Sequence, residues 1–193
     1  MTREHESDQA RILEATQEHF VTSMRDGDPV HQLYPHHVEQ VEKWSRRIMA
    51  YYLEADSEVV LLSVWLHDIG SRDKENLPTH EIHSENESRR FLPTLGLAPG
   101  KVDAVAHCVR THRCKEDALP ETIEATILAA ADSASHLTDI FYILMLNNGN
   151  SKKDVLEKLE RDIRDTQSLP RPIQEELRPL HDAWRELITS FPV

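Results

Sequence analysis

The chain has 193 residues, enough to bury a substantial core as one domain. Its 34 acidic residues outweigh 22 basic ones for a formal charge of -12, which argues against broad binding to nucleic acid or to anionic membranes. Ten prolines, five glycines and long stretches rich in Leu, Ile, Val, Ala and Glu favour helices, and no segment reads as alternating strands.

Asp8 or Ser7 can cap a first helix over roughly residues 8–25, with Ile12, Leu13, Thr16, Phe20 and Met24 near one face. Asp26-Gly27-Asp28-Pro29 ends it. Val38, Val41, Trp44, Ile48, Met49 and Tyr52 recur at helical spacing in a second helix, about His36 to Leu53. Ser57 is the expected N-cap of a third, with Glu58 at the favourable end. This helix is apolar nearly all round and so central to the core. It is expected to end at Ile69-Gly70, with the glycine as its C-terminal residue.

A polar loop from Ser71 to Thr79 leads to a helix over about His80 to Leu92. Further helices are expected over 101–113 and from Glu121 to Leu137, the latter continuing after a bend over Leu137 to Leu146. Ser151 with Asp154 opens a helix running to about Ser168, and Leu169-Pro170-Arg171-Pro172 separates a last helix at about 173–190. The apolar run Ile140 to Leu146 is far too short to cross a bilayer, and the charged N-terminus lacks an apolar signal region. Cys108 and Cys114 sit in or near one helix and, six residues apart, point to different faces if that helix continues through them. A disulfide is therefore not expected, and a reducing cytosol is the expected compartment. The expected fold is an all-α, single-domain helical bundle with no membrane partner.

The chemistry concentrates on His67-Asp68, at the end of the apolar run Val59 to Leu66. Two polar groups there are costly to desolvate unless something pairs with them, and a divalent metal takes both imidazole and carboxylate. Other such residues sit in their own helical settings. His37 lies in the first turn of the second helix. His80 and His83 lie three apart, on nearly one face. His107 and His112 lie five apart, about 140° round a regular helix, so the two are not expected to face one metal. Asp132 follows the small-residue run Leu128-Ala129-Ala130-Ala131, which permits close packing. Ligands projecting inward from several helices are how helical proteins build metal sites.

His37, His67-Asp68 and Asp132, in that order, resemble the HD superfamily of metal-dependent phosphohydrolases. Leu66-His67-Asp68-Ile69-Gly70 is similar to its central motif, His37-Val38-x-x-Val41 to its opening helix, and Leu128-Ala-Ala-Ala-Asp132 to its closing motif. The resemblance covers about residues 30–140, leaving a C-terminal helical extension of about 150–193 without a counterpart. It implies a first metal on His37, His67, Asp68 and Asp132. A second would rest on His80 (favoured over His83) and His112 (favoured over His107), with Asp68 bridging and with His67 and Asp68 at the centre of catalysis. Many members have Lys after the central motif. Here Ser71 stands there, followed by Arg72, so Arg72 and Arg113 are the expected substrate contacts, flanked by Lys74, Arg110 and Lys115.

The implied cofactor is one or two ions of Mn, Fe, Co, Ni, Zn or Mg. The implied reaction is hydrolysis of a phosphate mono- or diester in a nucleotide-like or other small phosphorylated molecule. Two other readings follow from the same residues, a di-iron oxygenase and a regulatory module that binds metal or ligand without turnover. Oligomerisation is compatible with the terminal helices. His5, His19, His31, His136 and His181 have no motif support, and His36 is expected to point away.

Overall fold

The structure, a computed structural model, describes residues 3–25 and 34–192. Helix α1 spans Arg3–Arg25, α2 Tyr34–Met49, α3 Ser57–Leu66, α4 His80–Phe91 and α5 Pro99–Thr111. Then come α6 Ile123–His136, α7 Phe141–Asn147, α8 Lys152–Asp165 and α9 Arg171–Ser190. No strand forms among the described residues, so the fold is all-α. The expected break at Asp26-Gly27-Asp28-Pro29 lies outside the described residues.

Helix α3 is the hub. Every residue from Val59 to Leu66 is buried, and α1, α2, α4, α5 and α6 pack around it. From Val59 on, such a helix has no solvated face and is held chiefly by burial, which explains a mean apolarity far above its neighbours. Its N-cap is Asp56 rather than Ser57. The Asp56 carboxylate accepts from the amides of Glu58 (3.0 Å) and Val59 (3.3 Å), leaving Ser57 as the first helical residue. Helix α1 begins at Arg3, ahead of the expected caps, because no Gly or Pro interrupts its pattern; Asp8 instead pairs with Arg11 inside the helix.

The other elements follow from local chemistry. Pro99 starts α5 and Pro172 lies in the first turn of α9, where a missing amide proton costs nothing. Thr122 caps α6, and its run Ala129–Ala131 is buried, so α6 approaches α2 closely. Helix α7 is a separate short helix. Ser151 and Asp154 close a capping box on α8. Helix α8 packs on α6 and on α9, and Trp184 Nε1 of α9 donates to the Leu137 carbonyl at 3.0 Å. No helix among the described residues is long and apolar enough to cross a membrane.

After α3 the chain does not end in a glycine cap at Ile69-Gly70. Helix α3 stops at Leu66, His67 is its C-cap, and a 3-10 turn follows over Ile69–Arg72. A second 3-10 turn over Lys74–Thr79 occupies most of the expected polar loop. Gly70 is needed for a different reason. A Cβ there would lie 2.5 Å from the His80 carbonyl oxygen and 2.6 Å from the Ser84 amide nitrogen. Helix α4 therefore rests directly on the backbone that carries His67-Asp68, and the Gly70 amide donates to Ser84 Oγ at 2.9 Å.

Candidate metal centre

The candidate ligands sit where helices begin or end, and that position fixes their rings. His67 caps α3, His112 caps α5 and His80 opens α4. Carbonyls at such ends lack a partner within the helix. Each of these imidazoles uses one, donating Nδ1–H to the residue three before it: Val64 at 2.7 Å, Val109 at 2.7 Å and Leu77 at 2.9 Å. His37, in the first turn of α2, instead faces Asp139 with Nδ1 at 3.0 Å from the carboxylate. All four rings thereby present Nε2 inward. This is the outer support that metal-binding histidines use to fix tautomer and direction.

The inward atoms fall into two sets joined by one carboxylate. Asp68 Oδ2 lies 3.8 Å from His37 Nε2 and 3.6 Å from His67 Nε2. Asp132 Oδ1 completes that set at 3.2 Å from His37 Nε2 and 3.7 Å from His67 Nε2. The other oxygen, Asp68 Oδ1, lies 3.0 Å from His80 Nε2 and 3.8 Å from His112 Nε2. Among the described residues, three groups are compatible with one ion: His37, His67 and Asp68; Asp68, His80 and His112; and His37, Asp132 and His136, which overlaps the first at His37.

The donor set fits a divalent metal. His67 Nε2 is fully buried and has no hydrogen-bond partner among the described residues. A buried polar atom left so costs free energy unless a ligand satisfies it. His80 and His112 point their Nε2 atoms at each other across 3.2 Å, although both Nδ1 protons are already given to carbonyls. Two lone pairs facing at that distance call for a cation or a shared proton between them. Nitrogen and carboxylate oxygen together suit the borderline divalent metals.

The electrostatics agree. Burial disfavours charge on His37, but its hydrogen bonds to Asp132 and Asp139 override that and raise its pKa to about 10. Asp68 and Asp132 are held well below the ordinary carboxylate range by the surrounding imidazoles, against the cost of burial. His112 is pushed down to about 3 by burial and by His67 and His80. Protonated imidazoles, His37 above all, counter the two carboxylates, and a bound divalent ion would take the place of those protons. Cys114 lines the same cleft, but burial raises its thiol to about 12, so it is no nucleophile at neutral pH.

The remaining candidates divide. His83 is exposed on α4, and His107 accepts from the Glu121 amide at 3.2 Å; neither joins the cluster. His36 is exposed, at the mouth of the cleft. His19 bonds Glu87 and stacks on Phe91. Arg72 does not reach the cleft: the 3-10 turn sends it to solvent, where Asp73 takes it. Arg113 does line the cleft, but its guanidinium is bonded to Glu81 (2.9 Å) and the Pro78 carbonyl (2.8 Å). Ser71 is buried and donates to the Asp68 carbonyl at 2.5 Å, bracing the central motif.

Two site residues escaped the motif reading. His136 stacks parallel to His37, with Nε2 3.6 Å from Asp132 Oδ1 and Nδ1 3.3 Å from Asp162 Oδ2. Its spacing of four from Asp132 was the available signal. Asp139 lies between α6 and α7, with no pattern to announce it. Asp139→Asn is expected to weaken metal affinity by about 10–100-fold, since outer partners of ligating histidines carry such effects. Metal titration of the variant checks this, and an unchanged affinity would remove Asp139 from the site.

Glu81, beside His80, anchors the cationic side of the cleft. It is 1 % exposed and bonds Lys115 (2.5 Å) and Arg113 (2.9 Å). Burial would raise its carboxyl, but Lys115 and Arg113 hold it down at about 2. Because the folded value lies below the ordinary 4.5, this stabilisation is full above that pH and is lost as pH falls toward about 2. Glu81→Gln is expected to cost about 2 kcal/mol at neutral pH, below the usual figure for a broken buried pair because both cations still reach water. Denaturant melts across pH should show a flatter acid limb.

No curated protein and no solved structure matches the chain. A family model described as HD domain matches residues 34–137, which span α2 to α6 and contain all six candidate ligands. That segment is more than half of the chain, and the protein belongs to the HD domain family, in which metal-dependent phosphohydrolases are the general rule.

Proposed function

We propose that the protein hydrolyses a phosphate mono- or diester in a nucleotide-like or other small phosphorylated molecule, using two divalent ions. Asp68 carries this reading, with its two oxygens turned to two separate histidine sets. Family membership suggests metal-dependent hydrolysis broadly; the ester substrate and the two-ion count are our reading. His37, His67, Asp68 and Asp132 would hold one ion, and Asp68, His80 and His112 the other. When bound, such ions acidify a water toward neutral pH and offset charge on the phosphoryl oxygens. The protein's own part is rigidity: four imidazoles locked through Nδ1 keep their Nε2 atoms aimed without reorganisation.

The cleft supports a small substrate. Its volume is about 700 Å³, and Phe141, Leu144 and Met145 give it an apolar wall beside the ligands. That wall suits a nucleoside-like body, while the ligand cluster suits its phosphate. The unpaired thiols of Cys108 and Cys114 support a reducing cytosolic setting.

The decisive experiment pairs metal analysis of protein purified without chelator with a phosphatase screen across nucleotides in Mn, Ni and Co. Two equivalents of metal and turnover of a phosphoester are expected. Iron-loaded protein that consumes oxygen and hydrolyses no phosphoester would overturn the proposal in favour of a di-iron oxygenase. Metal binding with neither activity would favour a regulatory module.

A further inference from the structure

The family match ends at residue 137, yet α8 lines the same cleft as the ligands through Lys158, Arg161 and Asp165. Lys158 is the cation among these with a contact to the cluster. Its Nζ lies 3.4 Å from His136 Nδ1, and the far nitrogen of that ring lies 3.6 Å from Asp132 Oδ1. One imidazole separates the ammonium from a candidate ligand.

The ammonium is held in place. Asp162, fully buried, accepts from it at 2.5 Å, and the Phe141 ring lies beneath it at 5.5 Å. Its side chain is 21 % exposed, facing the cleft. Neutralising Asp162 does not exhaust it. Asp162 also accepts from Tyr142 Oη at 2.7 Å and faces His136, while a lysine has three protons to donate.

The other cations at the cleft are differently placed. Arg113 and Lys115 share one buried carboxylate, Glu81, and both also donate to the Pro78 carbonyl, on the side of the cleft away from His136 and Lys158. Ser71, directly after His67-Asp68-Ile69-Gly70, carries no charge, and its hydroxyl is given to the backbone. Arg161, three residues along α8 from Lys158, makes no ion pair among the described residues. In a chain of charge -12, an anion entering this cleft needs local positive charge, and α8 contributes Lys158 and Arg161 to it against one carboxylate, Asp165.

We propose that Lys158 binds a non-bridging oxygen of the substrate's phosphoryl group, with Arg161 widening the same anionic subsite. The C-terminal extension then completes the active site, supplying cations from outside the matched segment. This rests on the phosphoester reading above, and the ligand class is a phosphate or phosphoryl anion.

The test is binding of inorganic phosphate to the Mn-loaded full chain, read by 31P NMR relaxation or calorimetry. Lys158→Met is expected to raise the phosphate Kd about tenfold with metal content unchanged, and Lys158→Arg to restore most of it. Lys158→Met leaves buried Asp162 short of a partner, so Lys158→Met/Asp162→Asn, which removes the pair together, is the second variant. The same loss is expected there. A phosphate Kd within twofold of wild type in a folded, metal-replete variant would overturn the inference, as would absence of phosphate binding by wild type. Phosphate binding with no turnover of any ester would sink the hydrolase reading alone, and Lys158 would still be judged by its Kd.

Discussion

Asp68→Ala is expected to lower metal-dependent turnover by at least about a thousandfold, the loss of several kcal/mol of transition-state stabilisation. One side chain serves both ligand sets, so its removal injures them together. The His80 and His112 set is left with two imidazoles and no carboxylate, too little for a divalent ion. The other set keeps His37, His67 and Asp132 but loses one of the two carboxylate oxygens that face both histidines. Metal analysis should show the second ion absent and the first weakened. The exposed His83→Ala serves as control and should change neither. A folded Asp68→Ala protein that kept two ions and wild-type turnover would end the bridged-centre reading.

Gly70→Ala is expected to destabilise the protein by about 3 kcal/mol or more, as overpacking against backbone does. The atoms a methyl group would meet are the His80 carbonyl and the Ser84 amide, 2.5 and 2.6 Å away. Neither can rotate aside as a side chain would, so α4 must retreat as a unit. His80 is the first residue of α4, and its Nε2 would withdraw from Asp68 Oδ1, now 3.0 Å away. Denaturant melts measure the first effect. Metal stoichiometry falling from two toward one measures the second. A variant of wild-type stability would mean that α4 does not rest on Gly70.

The positions of the six candidate ligands could be argued from sequence because each lies at a helix start, a helix end or beside a small-residue run, features that leave local marks. His67-Asp68 closes an unmistakably apolar helix, and Asp132 follows three alanines. What escaped depends on contacts across the fold. Asp139 reaches His37 from a connection 102 residues away, and no pattern near either residue signals it. Lys158 reads as one more charge on an amphipathic helix until α8 is seen packed on α6. Arg72 is the opposite case: next to the motif in sequence, it is turned away by the 3-10 turn. Gly70 reads as a helix cap because glycine after an apolar run often is one, yet its reason is the approach of another helix. Where two capping side chains compete, as at Asp56 and Ser57, the helix start shifts by one residue, and sequence carries no mark of which side chain wins.

The ligands come from five places in the chain, with His37 and Asp132 near opposite ends of the matched segment. An unfolded chain therefore offers an ion no more than a sequence-adjacent pair such as His67-Asp68. Affinity for the native state alone makes free metal a thermodynamic partner of folding, contributing about 2.7 kcal/mol when its concentration is a hundred times the dissociation constant. Withdrawal of metal thus draws down the folded population itself, and the lifetime of the protein in a cell becomes tied to the local supply of the ion.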